Sequence, residues 1–231
     1  MAVRRWQPFH SLPKPARRKV QVSYDVRPHK FALAPMEQLK PQHALTMPDL
    51  RQAGFSVYDS AIGSFRPYTL DDLYKSLSTI NLHSGVPEEV RSHFSTAQNL
   101  VAFSWHHYPF NVTAQLMGHV TIEFALRQVY PNMTNRSFKK LVELAVNEGR
   151  ISEKGFSHYV EPETSHLPPE LKDIYVIRPE SEYLDALIKA IPGVRNTLAH
   201  GSTNLHMHGL RSVRFCADFI NQLFLAPQPE A

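Results

Sequence analysis

Cysteine is nearly absent from the 231-residue chain, which has one, Cys216. A single thiol excludes a disulfide framework and a cysteine-built zinc finger, and it suits a reducing compartment. Long apolar runs are absent as well. No stretch of about 18 uninterrupted apolar residues occurs, the length a membrane crossing needs, so no membrane partner is expected. The opening Met1-Ala-Val-Arg-Arg-Trp-Gln-Pro8 lacks the apolar core of a signal peptide. A cytoplasmic location is the expectation. What is present is enough apolar material for a core. Hydrophobic residues make up 42%, and the mean hydropathy is −0.32. The length fits one or two domains.

Positive charge is unevenly spread. The formal charge is +4, but residues 1–40 hold nine Lys or Arg against two Asp or Glu, a net of +7. Residues 41–231 carry a net of −3. A basic end can bind phosphate backbones or stay solvated, and charge alone favours neither. Proline follows the same division, with seven of eighteen in the first 50 residues, which excludes long helices there. Residues 1–68 therefore read as a basic, Pro-rich arm. Within it Val20, Val22, Tyr24 and Val26 alternate with polar residues, the period of a half-buried strand. With a second strand over residues 30–34 they would form a small β-hairpin.

From residue 69 the spacing turns helical. Thr69 caps a short helix ending near Leu82, with acids in its first turn. Pro87-Glu88-Glu89 opens a second, whose Val90, Phe94, Ala97, Val101 and Trp105 share one face. A third runs from about Val112 to Tyr130 and is apolar around much of its circumference, the mark of a central helix. Asn135 caps a fourth, stopped by Gly149. Residues 150–180 read as an excursion with one short helix near Ser152–Tyr159. Helical spacing returns at Ser181, is interrupted by Pro192-Gly193, and resumes over Val194–His200. A last helix spans roughly His208–Leu225. Residues 69–231 thus predict a mainly α, antiparallel helical bundle.

The densest chemistry lies in Arg195-Asn196-Thr197-Leu198-Ala199-His200-Gly201. Asn196 and His200 are four apart and share a helix face, and Arg195 can reach the same side. Arginine suits a phosphoryl group and its transition-state charge. Histidine suits proton transfer at a ribose 2′-hydroxyl or a leaving oxygen. From spacing alone the same residues more readily describe a helix C-cap, with Gly201 as the left-handed residue, since Arg and His are common at helix ends.

This heptapeptide, leading into a last amphipathic helix, resembles the Arg/His signature of the HEPN superfamily. Glu123-Phe-Ala-Leu-Arg-Gln-Val-Tyr130 resembles the family's apolar helix with one glutamate, and residues 138–149 resemble the helix that follows it. The resemblance spans residues 86–225 and omits the arm. It implies an HEPN-like bundle that dimerises, bringing two Arg/His motifs together. It also implies metal-independent RNA cleavage without a cofactor, with Arg195 stabilising the phosphate, Asn196 orienting and His200 as acid and base. In toxin–antitoxin and anti-phage systems such proteins meet an antitoxin or a nucleotidyltransferase partner. Other members bind RNA, a nucleotide or a protein without cutting.

Around that motif, Glu123 either faces water at a helix edge or is buried, where it would be costly unless paired, and Arg195 is then its natural partner. His206, close in sequence to His200, is a supporting candidate. His206-Met-His208 and His106-His107 lack the carboxylates or thiols a metal site needs. Arg211 and Arg214 sit on the wet face of the last helix, where they could line an RNA path. In the arm, Arg4, Arg5, Arg17, Arg18 and Lys19 interleave with Trp6 and Phe9, a pattern that suits nucleic acid. Trp105-His106-His107-Tyr108 could stack a base, though such a cluster more often packs in a core.

Overall fold

The computed structural model describes residues 38–133, 135–160, 180–201 and 205–225. Those from Gln42 onward belong to one compact unit; of the other unit, Met1–Pro41, only residues 38–41 are described. The hairpin expected over residues 20–34 and the middle of the 150–180 excursion lie outside the described residues. Six α-helices and one hairpin are found among the described residues: β1 (Ser56–Asp59), β2 (Ser64–Pro67), α1 (Leu70–Ser78), α2 (Glu88–Phe103), α3 (Phe110–Val129), α4 (Phe138–Asn147), α5 (Glu180–Ala199) and α6 (Gly209–Leu223). The protein is mainly α.

The hairpin is antiparallel, with Val57 opposite Arg66 and Tyr58 opposite Phe65. Nothing in the sequence pattern announced it, because four-residue strands are too short to display a period. Arg66 ties it to α1. Its Nε donates to Asp59 Oδ2 at 3.0 Å, and Nη1 and Nη2 donate to the two oxygens of Asp72 at 2.7 Å each. Asp72 also completes a capping box with Thr69 at the start of α1. These bonds, led by those from Arg66 and Thr69, hold the Asp72 carboxyl well below the usual range. The cap at Thr69 is the one the sequence indicates, but α1 ends at Ser78 rather than near Leu82.

Residues 49–52 are pinned to the turn between α2 and α3. Asp49 Oδ2 accepts from the Tyr108 backbone N–H at 3.0 Å, and Gln52 Nε2 donates to Ser104 O at 3.0 Å. Trp105 and Tyr108 are packing residues here. Trp105 tilts against Tyr68, and the Arg51 guanidinium lies 5.0 Å from the centre of the Tyr108 ring. Burial raises the Asp49 carboxyl, but the bonds from Arg51 and Tyr108 outweigh it and the net shift is downward.

Helix α3 is the axis of the bundle, packing against α2, α4, α5 and α6. Its own buried residues are small where a neighbour must come close, as at Ala114, Gly118 and Ala125. A Cβ at Gly118 would stand 2.8 Å from Cys216 Sγ on α6, so this crossing needs glycine. Around it Phe94, Ile122, Leu126, Phe219, Ile220 and Leu223 are almost wholly removed from water. Cys216 is fully buried, and burial pushes its thiol up.

Three local expectations need correction. Ser137, not Asn135, caps α4, since it directly precedes the first inward residue, Phe138. The helix expected over Ser152–Tyr159 is a single 3-10 turn, Glu153–Gly155. That segment hydrogen-bonds to α6 side chains instead: Ser152 N–H to Gln222 Oε1, and both the N–H and Oγ of Ser157 to Asp218 Oδ2. A Cβ at Gly155 would collide with the Gln222 amide, so glycine permits this approach. Finally, α5 runs unbroken through Pro192. Proline removes the N–H that would reach the Ile188 carbonyl. Leu187, Ile188, Ile191 and Pro192 are all buried, and this apolar stripe holds the helix across the gap.

Candidate functional site

The Arg/His motif occupies the C-terminal end of α5. That helix begins with Glu180 and Glu182 in its first turn, where carboxylates favour the helix dipole. It packs on α3 and α4, which sets Arg195 opposite the middle of α3. Arg195 Nη2 donates to Glu123 Oε2 at 2.9 Å, and Arg195 Nη1 donates to Asn196 Oδ1 at 3.1 Å. The Glu123 side chain is 15% exposed and Arg195 is 34% exposed. Burial of Glu123 is compensated twice, because Arg127 Nη2 donates to Oε1 at 2.7 Å. Both oxygens of the carboxylate are thus held by a guanidinium, one from its own helix and one from α5.

Arg195 Nε is buried without a hydrogen-bond partner among the described residues. Such a donor costs free energy, so the contact with Glu123 works against a local penalty. It fixes the guanidinium at the price of that orphaned group.

His200 follows the last residue of α5 and is exposed. Its backbone N–H bonds to Asn196 O at 3.0 Å, and the Gly201 N–H bonds to Leu198 O at 3.2 Å. Gly201 has φ +91°, so the C-cap geometry and the motif occupy the same residues. The His200 imidazole makes no hydrogen bond with the described residues. Arg195, Asn196 and Glu123 thus meet, while His200 stands one turn beyond Asn196 with a free ring.

His206 is half-buried, and its described contacts lead to His208 rather than to the motif. The two rings stack at 5.2 Å, and His206 Nδ1 accepts from the His208 backbone N–H at 3.2 Å. Burial, with help from the charge of His208, lowers the His206 pKa. Arg211 is exposed. Arg214 does not lie simply on a solvated face: its Nη2 reaches the end of α1, at Ser76 O (3.3 Å) and Thr79 Oγ1 (3.1 Å). Arg4, Arg5, Arg17, Arg18 and Lys19 lie outside the described residues.

Sequence reasoning missed Arg127. The signal was there, since Glu123 and Arg127 are four apart on one helix, the spacing that brings such pairs into contact. Extending the same spacing backward gives Gln115, His119, Glu123 and Arg127, a polar stripe along an otherwise apolar α3. Among the described residues no group of three His, Cys, Asp or Glu is placed to hold a metal ion, and no helix is long and apolar enough to cross a membrane. No family model, no curated protein and no solved structure matches the chain.

Proposed function

We propose that the protein is an HEPN-type endoribonuclease that cuts RNA without a metal ion. In this reading a 2′-hydroxyl attacks the adjacent phosphate. Arg195 holds the phosphoryl oxygens and stabilises the charge that grows on them. His200 takes the 2′-hydroxyl proton or delivers one to the leaving 5′-oxygen. Asn196 orients the guanidinium. The observation that carries the reading is the fixed geometry of Arg195, bonded to Glu123 across two helices and to Asn196 beside it.

The second reading is a non-catalytic module binding RNA, a nucleotide or a protein partner. The observation in its favour is the His200 ring, which no described residue orients. In the catalytic reading a second copy of the chain supplies that missing environment, so the enzyme is a homodimer with a composite site. An antitoxin or nucleotidyltransferase partner belongs to the same proposal.

The test is incubation of purified protein with RNA in EDTA, beside Arg195→Ala and His200→Ala. Cleavage by the wild type alone supports the enzyme. Equal cleavage by all three proteins points to contamination and rejects it. No cleavage by a folded wild-type dimer favours the binding module.

A further inference from the structure

We propose that the cleft between α3, α5, α6 and the segment after α4 binds a nucleoside monophosphate unit. It does not depend on the cleavage reading; it rests on the reading as a module that binds RNA or a nucleotide, and gives that reading a site apart from the Arg195 motif. The cleft has a volume of about 420 Å³, room for a nucleotide-sized ligand.

Charge is the first argument. Residues 41–231 carry a net of −3, yet no carboxylate lines this cleft among the described residues. Its charged and titratable lining is Arg211, Arg214, His119, His158, Tyr183 and His208. Arg211 makes no ion pair among the described residues. Arg214 commits only Nη2 to α1, leaving further guanidinium N–H groups for an anion. The two arginines stand three apart on α6 and so point the same way. Two such groups in a cleft that no described carboxylate lines suit a phosphate.

The second argument is the aromatic surface. Phe215 lines the cleft, backed by the buried Phe156 at 5.1 Å with 11° between the rings, and the buried His119 and the rim residue His158 lie nearly parallel to Phe215 at 6.5 Å each. His158 is exposed, and its Nε2 is bonded to Tyr183 Oη at 3.1 Å. That bond fixes two rings at the rim before any ligand arrives. The segment carrying His158 is itself clamped by Ser157 on Asp218. Pre-set rings beside arginines suit a base stacked at one end and a phosphate held at the other.

The nucleotide could come free or as one residue of an RNA strand. The two sources share the chemistry but differ in what binds. The probes are adenosine 5′-monophosphate, adenosine, inorganic phosphate and a fluorescent oligoadenylate, titrated against the full-length protein by calorimetry or anisotropy. Arg211→Ala and His158→Ala are the test variants, both exposed and both outside the Arg195 motif. Expected is binding of the monophosphate or the oligonucleotide at one site per chain, at least tenfold tighter than adenosine or phosphate alone. Each variant should weaken it at least fivefold. Monophosphate binding that competes with the oligonucleotide assigns a free nucleotide as sufficient; binding of the oligonucleotide alone assigns an RNA strand. Arg195→Ala with His200→Ala should bind normally, which keeps this site separate from any failure of cleavage. No binding by any probe, or binding that Arg211→Ala and His158→Ala leave unchanged, overturns the proposal.

Discussion

Arg195 on α5 and Glu123 on α3 are joined by a 2.9 Å bond across a sequence distance of 72 residues. The bond sits at the boundary between core and solvent, with Arg195 about a third exposed. There the two charges keep some strength without the full cost of burial. Its position matters more than its energy. It fixes a guanidinium near the end of a helix whose own last turn leaves the side chain several rotamers.

Glu123→Gln and Arg195→Gln should each lower stability by about 1 kcal/mol, the range of charged hydrogen bonds at a half-exposed site. The double variant should lose less than the sum, with a coupling of about 0.5–1 kcal/mol. Urea unfolding of the four proteins measures this. Strict additivity would show that the contact holds nothing. Arg127 also bonds Glu123, so Glu123→Gln should cost more than Arg195→Gln.

Gly118→Ala should destabilise the bundle by about 1–3 kcal/mol through overpacking. The added methyl would lie 2.8 Å from Cys216 Sγ, inside a fully buried crossing. Cys216→Ala removes that sulfur and should recover most of the loss in the double variant. The melting temperatures decide it, and a double variant no better than Gly118→Ala would place the strain elsewhere. The same burial makes a second expectation: native Cys216 resists thiol reagents and reacts only on unfolding.

Removing residues 1–40 tests the arm. Single-stranded RNA loses affinity with salt at a log–log slope of roughly 0.7 per phosphate contact. Those residues carry a net of +7, so deletion should flatten the slope by several contacts if the arm grips the backbone. An unchanged slope would locate the RNA contacts wholly in the body.

How much of this was legible in the sequence differs by residue. Long helices with clear periods were readable: Val90, Phe94, Ala97 and Val101 are the buried face of α2. The Glu123–Arg195 contact is one of the two alternatives the sequence leaves for Glu123, because burial of a lone glutamate demands a partner while a helix edge in water does not. Pro192 misled, since a local rule about a missing N–H cannot weigh a stripe of buried neighbours. The hairpin at residues 56–67 escaped for want of length. The cleft escaped for a different reason. His119, His158, Tyr183 and Arg211 come from four separate segments, and only packing brings them together.

His119 gives the last prediction. It is 4% exposed, and its Nδ1 lies 2.9 Å from Gln115 O. A carbonyl only accepts, so Nδ1 carries the proton and Nε2 is bare in the neutral ring. Burial lowers its pKa below the ordinary 6.5, and the Gln115 carbonyl offsets only part of that. The folded state therefore binds fewer protons than the unfolded chain below pH 6.5. Stability from this group is complete above that value and is lost as pH falls through the folded pKa. The depressed carboxylates among the described residues start from 3.8, for Asp49, Asp59 and Asp72, or from 4.5, for Glu143 and Glu148, so most of their loss comes below pH 5 and histidine dominates the window from about 7.5 to 5. His206 is lowered as well and should leave a residual slope. Across that window the wild type should lose more melting temperature than His119→Gln, which cannot take up a proton. Parallel curves would mean that His119 is protonated as readily folded as unfolded, against its place under Phe215.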